Sequence, residues 1–301
     1  MTAIEMNNIS KQYGKSRAVE NFNLSIDKAQ ICGLIGPNGA GKTTIMKIIA
    51  GIMFQSGGEL RLFESDKLDE QRNRMSFMIE APIIDNGLIA YDNLAYIRYL
   101  RGYPSVKRID EVLDIVGLTN AGKKKARNFS LGMKQRLGIG MALLAKPEVL
   151  VLDEPVNGLD PEGIVEVRYL LKRLAEEQDV TILISSHFLS ELSELCTDYA
   201  IINHGRLIES FTSEELAAKC RSRICLKTTD INQTAALLED KLSLINFKVM
   251  NGEEIHIFEQ LDRIEAISKA VYDSGILITK LCTEGQNLEE YYLGKVGDSN
   301  E

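Results

Sequence analysis

Gly36-Pro37-Asn38-Gly39-Ala40-Gly41-Lys42-Thr43-Thr44 fits the pattern G-x-x-x-x-G-K-[ST] and decides how the rest of the chain is read. Ile31-Cys32-Gly33-Leu34-Ile35 before it reads as a buried strand, and Ile45-Met46-Lys47-Ile48-Ile49-Ala50 after it as a helix. A strand feeding a glycine loop that opens a helix is the setting in which this motif binds phosphate. The glycines let successive backbone N–H groups turn inward where a side chain would block close approach. The helix N-terminus adds unpaired N–H groups and partial positive charge. Lys42 can reach the β- and γ-phosphates, and the Thr43 hydroxyl can hold Mg²⁺. The stretch therefore predicts a nucleoside triphosphate site.

Working outward, Val149-Leu150-Val151-Leu152-Asp153-Glu154 is an apolar strand ending in two acids. Beside a P-loop, Asp153 can support Mg²⁺, and Glu154 is placed to orient and deprotonate an attacking water. The bland alternative is a strand end reaching solvent. Short apolar runs at 149–152 and 181–184 suit strands covered on both faces. Between them Asp160 can cap a helix with Pro161 at its first position, and Ile164, Val167, Leu171 and Leu174 give that helix one apolar face. Strand–helix–strand of this kind implies a parallel sheet with crossover helices. Residues 4–13 and 22–26 alternate like half-exposed antiparallel strands.

The chain has 301 residues, 45% hydrophobic and 26% charged, ordinary for a globular protein. Its net charge of −8 argues against a nucleic-acid backbone as the main partner. Five cysteines without a C-x-x-C pair point to reduced thiols in a cytosolic setting, with Cys32 as a small core residue. No apolar signal segment stands in residues 1–10. The longest apolar stretch, 139–152, is broken by Lys146, Pro147 and Glu148, too short for a membrane span. From about Arg221 the texture changes. A strand at 224–228, a helix at 234–242, a hairpin turning at Asn251-Gly252, a helix at 261–272 and a strand at 276–281 predict a β-α-β-β-α-β module. That module carries no catalytic motif and suits a packing, dimerising or regulatory role.

Phe129-Ser130-Leu131-Gly132-Met133-Lys134-Gln135-Arg136, ahead of an apolar helix expected at 137–144, narrows the class. Together with Glu154-Pro155-Val156-Asn157-Gly158-Leu159-Asp160-Pro161 and Ser185-Ser186-His187, it resembles the ATP-binding subunits of ABC transporters, over residues 4 to about 215. The resemblance implies an α/β fold: a P-loop ABC ATPase core with a mixed sheet, helices and a helical subdomain at about 81–145. A small α+β C-terminal domain follows, with domains at 1–218 and 219–301.

The resemblance also assigns roles. Tyr13 stacks on adenine, Gly36 to Thr44 form the Walker A loop, and Asp153 and Glu154 the Walker B pair. Ser130, Gly132 and Met133 belong to a signature that contacts ATP held by a second copy of the chain. Asp160 sits in the D-loop at the dimer seam, and His187 senses the γ-phosphate. An isolated tyrosine is otherwise a strand or core residue. Lys123-Lys124-Lys125 reads as a solvated loop, and His204 and His256 carry no motif.

Two departures stand out. In Ser76-Phe77-Met78-Ile79-Glu80-Ala81-Pro82, Glu80 replaces the family's usual Gln, keeping an oxygen for a metal but losing the amide donor. The signature reads Ser-Leu-Gly-Met-Lys-Gln. Both features resemble the lantibiotic-immunity and bacitracin-resistance branch. Glu80 is expected as a metal and water ligand, the competing reading being an acid that faces the transmembrane partner.

The resemblance implies an ATP- and Mg²⁺-dependent ATPase, a dimer at the cytoplasmic face of the membrane coupled to integral permease subunits. It would expel a membrane-active peptide antibiotic contacted by the permease rather than by this chain. A general multidrug exporter is the alternative. A soluble ATPase acting on ribosomes or DNA fits less well, given the acidic charge and the lack of room for a coiled-coil insertion between Lys42 and Asp153. A small-molecule P-loop kinase would lack the signature and the switch histidine.

Overall fold

Gly14, at φ +56°, turns the chain after Tyr13, and Ser16 pairs back onto Tyr13 across a two-residue loop. The second strand thus begins at Ser16, well before the alternation at 22–26 that announces it. The structure, a computed structural model, describes residues 1–103, 105–187, 189–219, 222–250, 254–285 and 291. It divides into a first unit, Met1–Ser213, and a second, Glu214–Leu293. The division falls five residues before the expected 218/219 boundary.

In chain order the strands of the first unit are β1 (Thr2–Tyr13), β2 (Ser16–Asp27), β3 (Ile31–Ile35), β4 (Gly57–Leu62), β5 (Met75–Met78), β6 (Val149–Leu152), β7 (Thr181–Ser186), β8 (Asp198–Asn203) and β9 (Arg206–Thr212). Its helices are α1 (Lys42–Ile49), α2 (Leu68–Arg72), α3 (Ala90–Leu100), α4 (Lys107–Ile115), α5 (Leu131–Leu143), α6 (Pro161–Gln178) and α7 (Leu189–Leu192). Six strands form one sheet in the order β5-β6-β7-β3-β8-β9, parallel throughout except for β9. The apolar runs of β3 and β6, and Ile182-Leu183-Ile184 of β7, are explained by burial on both faces. An antiparallel sheet, β2-β1-β4, lies over it.

Helix α1 fills the space between the sheets. Ile45, Met46, Ile48 and Ile49 are wholly buried in one core with Ile4, Phe22 and Leu62 of the small sheet and Leu34, Val151 and Ile202 of the large one. Truncating Ile48 to Ala should cost about 2–5 kcal/mol, because its neighbours belong to two sheets and cannot collapse together. The P-loop is therefore anchored by a helix packed into both sheets.

Helices α3, α4 and α5 occupy the stretch expected as helical at 81–145. Helix α5 begins at Leu131 rather than at 137, since Ser130 caps it, its Oγ accepting from Met133 N at 3.2 Å. Asp160 caps α6 as expected, accepting from Gly163 N at 3.2 Å. Of the apolar face, Val167, Leu171 and Leu174 are buried and Ile164 is half-buried.

The second unit runs from within α8 (Ser213–Lys219) through β10 (Arg223–Thr228), α9 (Ile231–Asp240), β11 (Phe247–Met250), β12 (Glu254–Ile257), α10 (Ile264–Asp273) and β13 (Ile278–Glu284). Its strands pair antiparallel in the order β11-β12-β10-β13, and Ile224, Leu226, Ile255 and Ile257 pack with Leu238, Ile267 and Val271 of the helices. The turn expected at Asn251-Gly252 lies outside the described residues. The helix expected at 261–272 opens as a 3₁₀ turn, Leu261–Arg263, before α10. The last strand starts at Ile278 instead of 276, because Gly275 (φ +75°) turns the chain and Ile276 drops into the core.

Candidate functional site

Gly36 and Gly41 show why the loop needs glycine. A Cβ on Gly36 would stand 2.3 Å from the Ile202 carbonyl oxygen, and one on Gly41, at φ +109°, 2.7 Å from that of Ala18. Neither backbone oxygen can move without breaking a strand. Pro37, Asn38, Gly39 and Ala40 complete the loop, with Ala40 N donating to Pro37 O at 3.1 Å and Gly205 N to Ala40 O at 2.8 Å. Gly41 is the residue before α1, whose first residues are Lys42, Thr43 and Thr44. Lys42 Nζ folds back over the loop, donating to Gly36 O at 2.7 Å and Pro37 O at 3.2 Å. It is only 5% exposed, so its charge is focused into the loop.

The two acids after β6 join this loop through Thr43 and Lys42. Thr43 Oγ1 donates to Asp153 Oδ2 at 2.8 Å, and Ser185 Oγ at the end of β7 donates to Asp153 Oδ1 at 2.6 Å. Ser185 Oγ also accepts from Glu154 N at 2.9 Å, tying the two acids to β7. The Glu154 carboxylate lies 3.4 Å from Lys42 Nζ and 3.3 Å from His187 Nδ1, and accepts from Asn157 Nδ2 at 2.9 Å. Glu154 has φ +46°, a left-handed conformation that few non-glycine residues adopt and that costs of order 1–3 kcal/mol. Parallel pairing of β3, β6 and β7 brings the P-loop, the acids and the histidine together at the carboxyl ends of the strands.

Glu80 follows β5 at φ +65° and pairs with Lys47 of α1 at 2.6 Å, which holds its carboxyl below its usual value and raises Lys47. It lines a cavity of about 540 Å³ with Thr43, Asp153, Glu154, Leu131 and Gln135. Tyr13, half exposed at the end of β1, donates through its hydroxyl to Met53 Sδ at 2.6 Å, with Lys11 Nζ 5.2 Å from its ring centre.

Ser130, Gly132, Met133 and Asp160 gather at the starts of α5 and α6, where a Cβ on Gly132 would lie 3.6 Å from Gly163 Cα. Among the described residues, no hydrogen bond or ion pair joins these four to Lys42, Thr43 or Glu154. The site residues thus form two groups.

Sequence reasoning assigned no role to Ser185, Lys47 or Asn157. Ser185 and Asn157 lie inside quoted motifs, but nothing local marks their partners. Lys47 faces Glu80 only because α1 packs beside β5.

The family described as ABC transporter matches residues 19–157. The chain is 39% identical over 293 residues to an uncharacterized ABC transporter ATP-binding protein, YcbN, of Bacillus subtilis (strain 168), covering 96% of this chain and 95% of that one. It is 37% identical to the bacitracin transport ATP-binding protein BcrA of Enterococcus faecalis (98% and 96% covered). It is 42% identical to the lantibiotic transport ATP-binding protein SrtF of Streptococcus pyogenes over 68% of this chain and 89% of that one. A solved structure of an ATP-binding subunit of an ABC transporter superposes with a TM-score of 0.62 at 27% identity, over 72% of this chain and 92% of that one. No helix among the described residues is long and apolar enough to cross a membrane. A P-loop joined through Thr43 to Asp153, a glutamate meeting a histidine beside it and relatives matched end to end place the chain in one family: it belongs to the ATP-binding subunits of ABC transporters, P-loop ATPases that bind nucleotide.

Proposed function

We propose that two copies of this chain clamp a pair of MgATP molecules, and that hydrolysis drives integral permease subunits which expel a membrane-active peptide antibiotic. The observation that carries the chemistry is the cluster of Thr43, Asp153, Glu154 and His187 at the P-loop, within 2.8–3.4 Å links. The second group, Ser130, Gly132, Met133 and Asp160, makes no bond to that cluster among the described residues and gathers at the starts of α5 and α6, which supports its service to nucleotide on a second copy. The chain then works peripherally at the cytoplasmic face of the membrane. Similarity to bacitracin and lantibiotic transport proteins, over 98% and 68% of the chain, supports the cargo class.

The catalytic steps follow from the residues. P-loop N–H groups and Lys42 neutralise charge on the transferred phosphoryl group, most strongly when it is developing. Glu154 accepts the proton of the attacking water, its carboxylate steered by Asn157 and His187. The oxygen donors of Thr43 and Asp153 suit a hard cation, and Mg²⁺ held there supplies charge neutralisation at the phosphate oxygens. Tyr13 offers its exposed ring to adenine. Glu80, once released from Lys47, adds a carboxylate oxygen near the water and links hydrolysis to the permease.

Co-expression with its permease in a susceptible strain tests this reading. The strain should tolerate more bacitracin or lantibiotic, and Glu154→Gln should abolish the gain. Co-purification with RNA or DNA in place of a membrane protein would replace the transport reading with a soluble ATPase.

A further inference from the structure

In the second unit, strand alternation sends Ile224, Leu226, Ile255 and Ile257 into the core, so Cys225, Glu254 and His256 share the opposite sheet face. Cys225 of β10 stands directly opposite His256 of β12 on one side and Cys282 of β13 on the other. Directly opposed residues on antiparallel strands bring their Cβ atoms within about 4.5–5.5 Å. A thiol, an imidazole and a second thiol thus lie in one row across three strands.

The donor atoms of Cys225, Glu254 and His256 all lie within 4.8 Å of one another. His256 Nε2 and Glu254 Oε1 are 3.6 Å apart, already inside the ~3.3–3.8 Å edge expected of a tetrahedron with zinc-type bond lengths. Cys225 is wholly buried, while His256 and Glu254 are 15% and 17% exposed, so the cluster is shielded but reachable.

We propose that Cys225, Glu254 and His256 bind a borderline-soft divalent cation of the zinc type, with the fourth position left to water. Thiolate, imidazole and carboxylate in one tetrahedral set suit such a cation and not Mg²⁺ or Ca²⁺, which need oxygen cages. The site is separate from the nucleotide site and does not depend on how that site works.

Lys280 occupies the cation's electrostatic place in this structure. Its Nζ donates to Glu254 Oε1 at 3.3 Å and to Glu284 Oε1 at 2.6 Å. Burial, helped by the neighbouring Glu284, pushes the Cys225 thiol up to about 12. On binding, the Cys225 S–H bond breaks, an S–metal bond forms and the proton leaves to buffer. The ammonium of Lys280 keeps Glu284 and gives up Glu254.

The test titrates Co²⁺ into the full-length, reduced, metal-stripped protein and follows the thiolate-to-cobalt absorption band, which oxygen ligands at the P-loop cannot produce. The band should saturate at one equivalent and be bleached by Zn²⁺. It should vanish in Cys225→Ser, persist in Cys196→Ser, and need at least about 10-fold more Co²⁺ in His256→Ala, the lower end of what losing support around a metal costs. Circular dichroism confirms that each variant is folded, and Glu254→Gln, which keeps size and shape, should weaken binding similarly. Lys280→Ala should bind more tightly. A band absent at one equivalent, or surviving in Cys225→Ser, overturns the proposal.

Discussion

Replacing Ser185 by Ala tests how the site is held together. Ser185 is wholly buried, donates to Asp153 Oδ1 at 2.6 Å and accepts from Glu154 N at 2.9 Å. The first bond is to a carboxylate only 6% exposed, where one hydrogen bond is worth about 1.5–3 kcal/mol. The second leaves a backbone N–H without its partner at a left-handed residue, about 1 kcal/mol more. Ser185→Ala should therefore lose about 2–4 kcal/mol. For a unit of this size, at ~2–4 °C per kcal/mol, the melting temperature should fall by roughly 5–15 °C. If the same loss is felt when the phosphoryl group transfers, hydrolysis should slow about 30–700-fold, at ~1.4 kcal/mol per factor of ten. Nucleotide KM should change little, since the P-loop keeps its own bonds. Far-ultraviolet circular dichroism follows unfolding, the chain having no Trp, and phosphate release follows activity. A variant that melts with the parent and hydrolyses at its rate refutes the idea that Ser185 positions Asp153 and Glu154.

Three other outcomes follow from the same geometry. Glu154→Gln should keep ATP binding, lose at least about 100-fold in hydrolysis and accumulate a closed dimer visible by size exclusion, whereas full hydrolysis would show that another group handles the water. Glu80→Ala and Glu80→Gln should differ from the parent, and from each other, in ATPase rate across a Mg²⁺ titration; three coincident curves would end the metal-ligand role. Glu148 is held near 2 by a two-bonded Arg74 guanidinium, at 2.7 and 2.8 Å, and by Lys28. Its folded-state value lies below the ordinary 4.5, so its contribution is complete above 4.5 and is lost as pH falls toward 2. Urea midpoints should thus show Glu148→Gln less stable than the parent at pH 7, with the gap closing through that acidic window; a gap constant with pH contradicts the assignment.

The P-loop, the acids after β6 and the Asp160 cap on α6 were legible in the sequence because each is written within a few adjacent residues. Local spacing alone tells a strand from a loop and a cap from a helix interior, and motif order then separates this family from other P-loop proteins. Boundaries suffered where one side-chain bond or one strand pairing, rather than apolar spacing, decided them. Helix α5 starts at Leu131 because the Ser130 side chain accepts from Met133 N, and β2 extends to Ser16 because β1 pairs along it.

Only tertiary structure joined Ser185 to Asp153 across 32 residues, Lys47 to Glu80 across 33 and His187 to Glu154. It alone set Glu154 and Glu80 in left-handed backbone and aligned His256, Cys225 and Cys282 across three strands. Those pairings depend on strand register and helix packing. A slip of one residue sends a side chain to the opposite face, and no window of adjacent residues encodes where a strand will meet its neighbour.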